Sequence, residues 1–283
     1  MFSEATEMPW LWAGLAAYAL AAFYAFRGVA QQRVLAAGTG VTRGYEGLVL
    51  LFMVCGVVLL AVSLGVRWVR IGHGPFVNLF ELLVSQLFSL GAIYTLVYWR
   101  LPLLRPGAIV SLPIIWVLGL WVLMLEPKDA PFPPTYYNDW LWAHVGFGKI
   151  FLAFSMVGSG LAGVILLRWI GWFASWLRHL PADDVLDRYA WRFMVLALVF
   201  DSLMLIAGAV WAQDAWGRFW SWDALETSAF LTWLALGGAI HARLAWNVPI
   251  RLGAVFILII FVVAFMTYFS TPFISEAVHK GVI

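Results

Sequence analysis

Eight times between residues 10 and 269 the chain runs apolar for long enough to cross a hydrocarbon core of about 30 Å. The runs fall near 10–26, 45–66, 76–98, 107–125, 142–167, 189–211, 224–246 and 251–269. In lipid, backbone polar groups must be satisfied within the segment itself, and for a run of this kind a helix does that. The 64% hydrophobic share, against 11% charged, is more apolar surface than a soluble domain can bury. The sequence thus predicts an all-α, polytopic membrane protein with eight transmembrane helices. It reads as a single integral membrane domain over 1–283, without a linker or an internal repeat.

Eight spans place both termini on one side, together with the 2–3, 4–5 and 6–7 loops. The opposite loops carry Arg27, Arg33, Arg43, Arg100, Arg105, Arg168, Arg178, Arg188, Arg192, Arg243 and Arg251, against Arg67, Arg70, Lys128, Arg218 and Lys280 on the first side. The positive-inside rule then puts both termini and the 6–7 loop outside the cytoplasm. The N-terminus, MFSEATEMPW, is acidic, lacks the basic region of a cleavable signal peptide and reads as mature sequence.

Several functions have no support. The net charge of +2 is too small to suggest nucleic acid. Cys55 is the only cysteine, so an internal disulfide and a C-x-x-C pair are excluded, and thiol chemistry must come from other proteins. H-E-x-x-H, P-loop and G-x-G-x-x-G patterns are absent, which leaves zinc-hydrolase and nucleotide readings without a basis.

The chain holds 18 tryptophans, and three of them fall in the short connecting segment AWGRFWSWDALET, 215–227. If that segment is helical, Trp216 and Trp220 share a face at i, i+4 while Trp222 points elsewhere. Gly217 leaves room for close backbone approach. Asp223 stands where the seventh span begins and suits a helix cap, with Glu226 and Thr227 in the same polar first turn. On the same outer face His144 opens the fifth span and His279 follows the eighth. Two imidazoles flanking an aromatic platform suit a flat macrocycle with a central iron. An interfacial aromatic belt with amphipathic histidines accounts for the same residue types, and the residues alone leave both open.

The stretch GAVWAQDAWGRFWSWDALETSAFLTW, 208–233, resembles the tryptophan-rich WWD signature of the haem-handling protein family. The resemblance is to the membrane subunit of the system II cytochrome c synthase, and it runs over most of the second half of the chain. It implies that Trp211, Trp216, Gly217, Trp220, Trp222 and Asp223 bind haem b, with an outer-face Trp-rich segment at 212–223. WLWAHVGFGKIFLAFS resembles the family's outer histidine helix, which makes His144 one axial ligand. FMTYFSTPFISEAVHKG holds the place of the second, His279. AIHARL matches the intramembrane histidine, His241, and GHGPFVNLFELL the helix carrying Asn78 and Glu81. The family commonly has Pro-Lys after Trp-Asp, where this chain has Ala224 and Leu225.

Cytochrome c biogenesis is the function so implied, with this chain as the haem-binding subunit of a holocytochrome c synthase, a haem lyase. Haem enters at His241 and passes to His144 and His279, where it meets the C-x-x-C-H thiols of an apocytochrome c. No second histidine lies at the depth of His241, so a second synthase subunit is expected to supply it, and thiol-reducing proteins to serve the apocytochrome. The membrane is expected to be the inner (plasma) or a thylakoid-type membrane, with the WWD loop periplasmic or lumenal. Rival readings are a haem exporter to a chaperone and a non-catalytic regulatory subunit of tetrapyrrole synthesis. Two polar residues within spans stay open. Asp201 is expected to be satisfied by Ser202 or other polar groups of the bundle, and Lys149 either snorkels outward or meets a porphyrin carboxylate.

Overall fold

The structure, a computed structural model, describes residues 6–35 and 43–270. His279 lies outside the described residues, within which the chain is helical and has no strand. The helices are α1 (Met8–Leu35), α2 (Arg43–Ile71), α3 (Leu79–Arg100), α4 (Ala108–Leu123), α5 (Asp139–Leu167), α6 (Gly171–Leu177), α7 (Asp183–Trp216), α8 (Ala224–Ala245) and α9 (Ile250–Phe269). Among the described residues, seven helices are long and apolar enough to cross a membrane: α1, α2, α3, α4 with the turn before it, α5, α7 and α9. The remaining expected span is α8. Its 22 residues reach about 33 Å, but Glu226, Thr232, His241 and Arg243 interrupt its apolar run.

The boundaries depart most from the hydropathy runs at α7. It extends from 183 to 216 where the apolar run covers 189–211, because its ends carry polar residues that helix geometry tolerates and hydropathy does not count. Pro102 and Pro106 hold residues 102–107 in a tighter 3-10 turn before α4.

α5 sits at the centre of the bundle, packed against α3, α4, α7 and α9. Its sequence explains the position: it presents Ser155, Ser159 and Gly160, all buried. A β-carbon on Gly160 would stand 2.1 Å from the Ser111 hydroxyl of α4. Small residues let backbones approach closely where lipid offers no hydrophobic drive for helices to associate.

At one end of the bundle a single guanidinium ties the first helices together. Arg67 of α2 is 2% exposed. It donates to Glu7 at 2.7 Å, to Glu81 of α3 at 2.7 Å and to the Lys128 carbonyl at 2.6 Å. Arg70 adds bonds to Glu7 and to both oxygens of Asp129. Hydropathy counting treats Arg67 as a loop charge, whereas it is an internal strut. At the other end Arg105 pairs with Glu46, Arg168 with Asp183 and Arg243 with Asp187.

Candidate functional site

A cavity of about 230 Å³ lies between α3, α5, α7, α8 and α9, at the end of the bundle where α3, α5 and α8 begin. Its walls are mostly apolar and include Phe76, Tyr136, Leu141, His144, Trp211 and Trp220.

Local rules build its rim. Asn78 caps α3 by accepting the Glu81 N–H at 2.9 Å, while the Glu81 carboxylate reaches back to the Val77 N–H at 2.8 Å. Asp223 caps α8 in the same way, accepting the Glu226 N–H at 2.8 Å, and Glu226 reaches back to the Ser221 N–H at 2.7 Å. Both are reciprocal arrangements of the capping-box kind, and each fixes the chain entering a helix. Asn138 caps α5 and also donates to Asp214 at 2.9 Å, joining the α5 and α7 ends.

His144 is half-buried on α5. Its Nδ1 lies 2.8 Å from the Met204 carbonyl of α7, and its ring stacks on Trp211 with centroids 6.2 Å apart and planes at 21°. A carbonyl only accepts, so Nδ1 carries the proton and the ring lone pair sits on Nε2. Gly208 makes the fit possible: a β-carbon there would stand 2.6 Å from Nδ1. The Trp211 N–H donates to the Thr135 carbonyl at 3.0 Å, which fixes that indole.

The tryptophan segment is not one helix. α7 ends at Trp216, and Gly217 takes a left-handed φ of +74° with its N–H on the Gln213 carbonyl. The shared face expected of Trp216 and Trp220 therefore does not form. Trp216 packs edge-on against Trp211 at 4.9 Å, and Trp220 meets Trp222 edge-on at 5.7 Å. The close approach expected at Gly217 is likewise replaced, since nothing lies within 4 Å of its missing β-carbon. Its glycine serves helix termination. Trp222 has a φ of 58° and is 69% exposed.

Of the sequence-predicted residues, His144, Trp211 and Trp220 line the cavity. Trp216 backs it in a cluster with Phe76 and Leu141, Asp223 caps α8, and Gly217 and Trp222 are not among its lining residues. His241 is exposed on α8, about 22 Å along the axis from Glu226. Asp201 is buried in α7, but Ser202 does not satisfy it: the Ser202 hydroxyl donates to Leu198 and accepts from Trp233, and Asp201 Oδ2 has no hydrogen-bond partner among the described residues. The sequence reading missed the Met204 carbonyl, Ser85 and Gln86, and also Gly208, whose lone glycine in an apolar helix was the one available signal.

The remaining histidines are placed elsewhere. His73 of the α2–α3 turn sits between the carbonyls of Gly74 and Ala130. His179 lies at the opposite end, where burial and the charges of Arg178 and Arg168 pull its imidazole below the usual value. In the loop beside the cavity, burial raises the Tyr136 phenol. The Arg70 guanidinium holds Asp129 below the usual carboxylate value. For Glu7, burial pushes upward, but the bonds from Arg70 and Arg67 outweigh it and the carboxyl is lowered.

The family model described as "Cytochrome C assembly protein" matches residues 76–279. The chain belongs to the cytochrome c assembly protein family. Its function is cytochrome c biogenesis, as the WWD resemblance implied. The match begins at Phe76, and every residue lining the cavity, from Phe76 to Phe269, falls inside it. Among curated relatives, the cytochrome c biogenesis protein CcsA of Guillardia theta is 28% identical over 250 residues, covering 78% of this chain and 81% of the relative. CcsA of Chlamydomonas reinhardtii is 30% identical over 228 residues, 78% of this chain and 65% of the relative. CcsA of Gloeothece citriformis is 26% identical over 273 residues, 78% and 83%. Among solved structures, cytochrome c heme lyase CcmF superposes with a TM-score of 0.62 at 16% identity. That superposition covers 92% of this chain but spans about half the length of CcmF, 46%. At that identity the likeness is one of fold.

Proposed function

We propose that the cavity holds haem b, as substrate, for covalent attachment to an apocytochrome c bearing C-x-x-C-H. The observation that carries the reading is the 2.8 Å contact of His144 Nδ1 with the Met204 carbonyl. It fixes the ring in the tautomer whose Nε2 coordinates iron, the arrangement in which a backbone carbonyl orients a ligating histidine. The surrounding residues fit a porphyrin. Trp211 and Trp220 offer aromatic faces from two elements, and Gly208 leaves the space in which the imidazole sits. The volume of about 230 Å³ is below the roughly 300–1,000 Å³ of sites that enclose a drug-sized ligand. Trp216 supports Trp211 from behind, Trp222 stands at the exposed rim, and Gly217 with Asp223 sets the path of the chain between them.

In this reading His279 is the second axial ligand and the cavity faces the periplasm or lumen. The Arg105, Arg168 and Arg243 pairs at the other end favour that orientation by the positive-inside rule. His241 takes haem at an earlier, intramembrane position, with its partner histidine from the second synthase subunit. The protein orients haem and controls its ligands, and the apocytochrome thiols, kept reduced by other proteins, are the nucleophiles.

The test is the absorption spectrum of the detergent-purified chain, alone and with its partner. His144→Ala and His279→Ala should each weaken the bis-histidine spectrum, and His179→Ala should leave it intact. Equal loss in the His179 variant would overturn the assignment.

A further inference from the structure

Two hydrogen-bond donors face the cavity with no carboxylate to receive them. Lys149 of α5 lines the cavity, and its Nζ donates to the Ser85 hydroxyl of α3 at 2.7 Å. It makes no ion pair among the described residues. Gln86, beside Ser85, also lines the cavity, is 3% exposed, and its amide nitrogen has no hydrogen-bond partner among the described residues. The carboxylate that shares the cavity, Glu226, is committed to the Ser221 N–H and hydroxyl across the rim. As an ammonium, Lys149 would have a neutral hydroxyl as its one hydrogen-bond partner among the described residues, and a buried charge persists when it is paired.

We infer that Lys149 and Gln86 form the receptor for a ligand carboxylate, so that the cavity takes an apolar ligand with an acidic edge directed inward. The inference rests on the haem reading of this cavity and deepens it. The ligand edge is that of the porphyrin propionates. Lys149 lies five residues beyond His144 on the same helix, about 7.5 Å deeper along its axis. Five residues also turn the helix by about 140°, so His144 faces α7 and Lys149 faces α3. It is the one cavity both line that lets a single rigid ligand span an iron at His144 and a carboxylate at Lys149. With the acidic edge inward, the vinyl edge points to the rim, where Phe219 and Trp222 stand exposed and an apocytochrome has access.

Two porphyrins separate the possibilities: ferric haem and its dimethyl ester, in which both propionates are neutral. Each is titrated into the full chain in detergent, followed by tryptophan quenching and by the axial-ligand band. The wild-type chain should bind haem at least about tenfold more tightly than the ester, the scale of a hydrogen bond to a charged group. Lys149→Met should abolish that preference by weakening haem alone and should keep the axial-ligand band. Lys149→Arg should restore the preference. Oleate supplies the same chemistry from a lipid source. Displacement of haem by oleate at equal concentration, or equal wild-type affinity for haem and ester, overturns the propionate receptor while leaving haem at His144. Failure of both porphyrins to bind overturns the haem reading of the cavity itself, and the receptor with it.

Discussion

Gly208 and His144 meet so closely that a methyl group on the glycine would stand 2.6 Å from the imidazole Nδ1. The atom in the way belongs to a ring held by the Met204 carbonyl and stacked on Trp211, so it has little freedom to give. Gly208→Ala should therefore displace the imidazole and weaken the iron-ligand spectrum, at a stability cost of about 1–3 kcal/mol for overpacking. Gly217→Ala meets open space but a φ of +74°. It should cost about 1 kcal/mol in unfolding with the spectrum kept. Thermal unfolding and absorption on the same samples separate the two.

Asp223 is read structurally as a cap. Asp223→Ala should lower stability by about 1 kcal/mol, as loss of an N-cap does. Asp223→Asn keeps an acceptor oxygen and should keep most of that stability. A drop in haem binding shared equally by the Asn variant would point to a role for its charge.

Trp222 holds a left-handed backbone conformation that costs a non-glycine residue roughly 1–2 kcal/mol. Its side chain is exposed and its ring contacts are edge-on, so little packing offsets that cost. Trp222→Gly should therefore unfold at the same temperature as the wild type or higher, while holocytochrome yield falls. A large loss of stability would show that the ring holds the rim together.

The acidic side of stability follows from Asp129 and Glu7. Both carboxyls titrate below their usual values in the folded chain, so their stabilisation is complete above the unfolded-state value and is lost as pH falls through the folded one. Unfolding temperature in detergent should decline from about pH 5 down to about pH 3. Asp129→Asn should make that decline shallower, and an unchanged slope would remove Asp129 from the account.

Arg67 is the residue whose loss should be most costly. Arg67→Met leaves Glu81 as a buried carboxylate without a cation and Glu7 with Arg70 alone, and breaking a buried pair from one side costs about 3–5 kcal/mol. Glu7→Gln combined with Glu81→Gln and Arg67→Met removes every buried charge of the cluster and should recover part of the loss.

The helical class was legible in the apolar runs, because span length and internal hydrogen bonding restrict such segments to one backbone form. His144 was legible through its motif, and the Asp223 cap through its position before a helix. The arrangement of the tryptophans was not. Periodicity assumes a continuous helix from Trp216 to Trp220, and one left-handed glycine ends it. Met204 could not be read at all, since it contributes a carbonyl that every residue possesses. Arg67 was miscounted for a related reason: sequence shows that an arginine lies near a span end, but not that two carboxylates from distant segments close on it. Ser202, one of the partners the sequence offers Asp201 beside other polar groups of the bundle, follows it directly, yet neighbours on a helix point about 100° apart.

The guanidinium of Arg67 sets an order on the growth of the bundle. It leaves the ribosome after Glu7, before Glu81 and well before Lys128, so the arginine stays incompletely matched until the fourth helix has passed. A gene split after α2 would strand it, whereas a break beyond Asp129 keeps the whole cluster in one fragment. The first half of the chain thus completes its own polar knot before α5, α7, α8 and α9, four of the five helices around the cavity, are made.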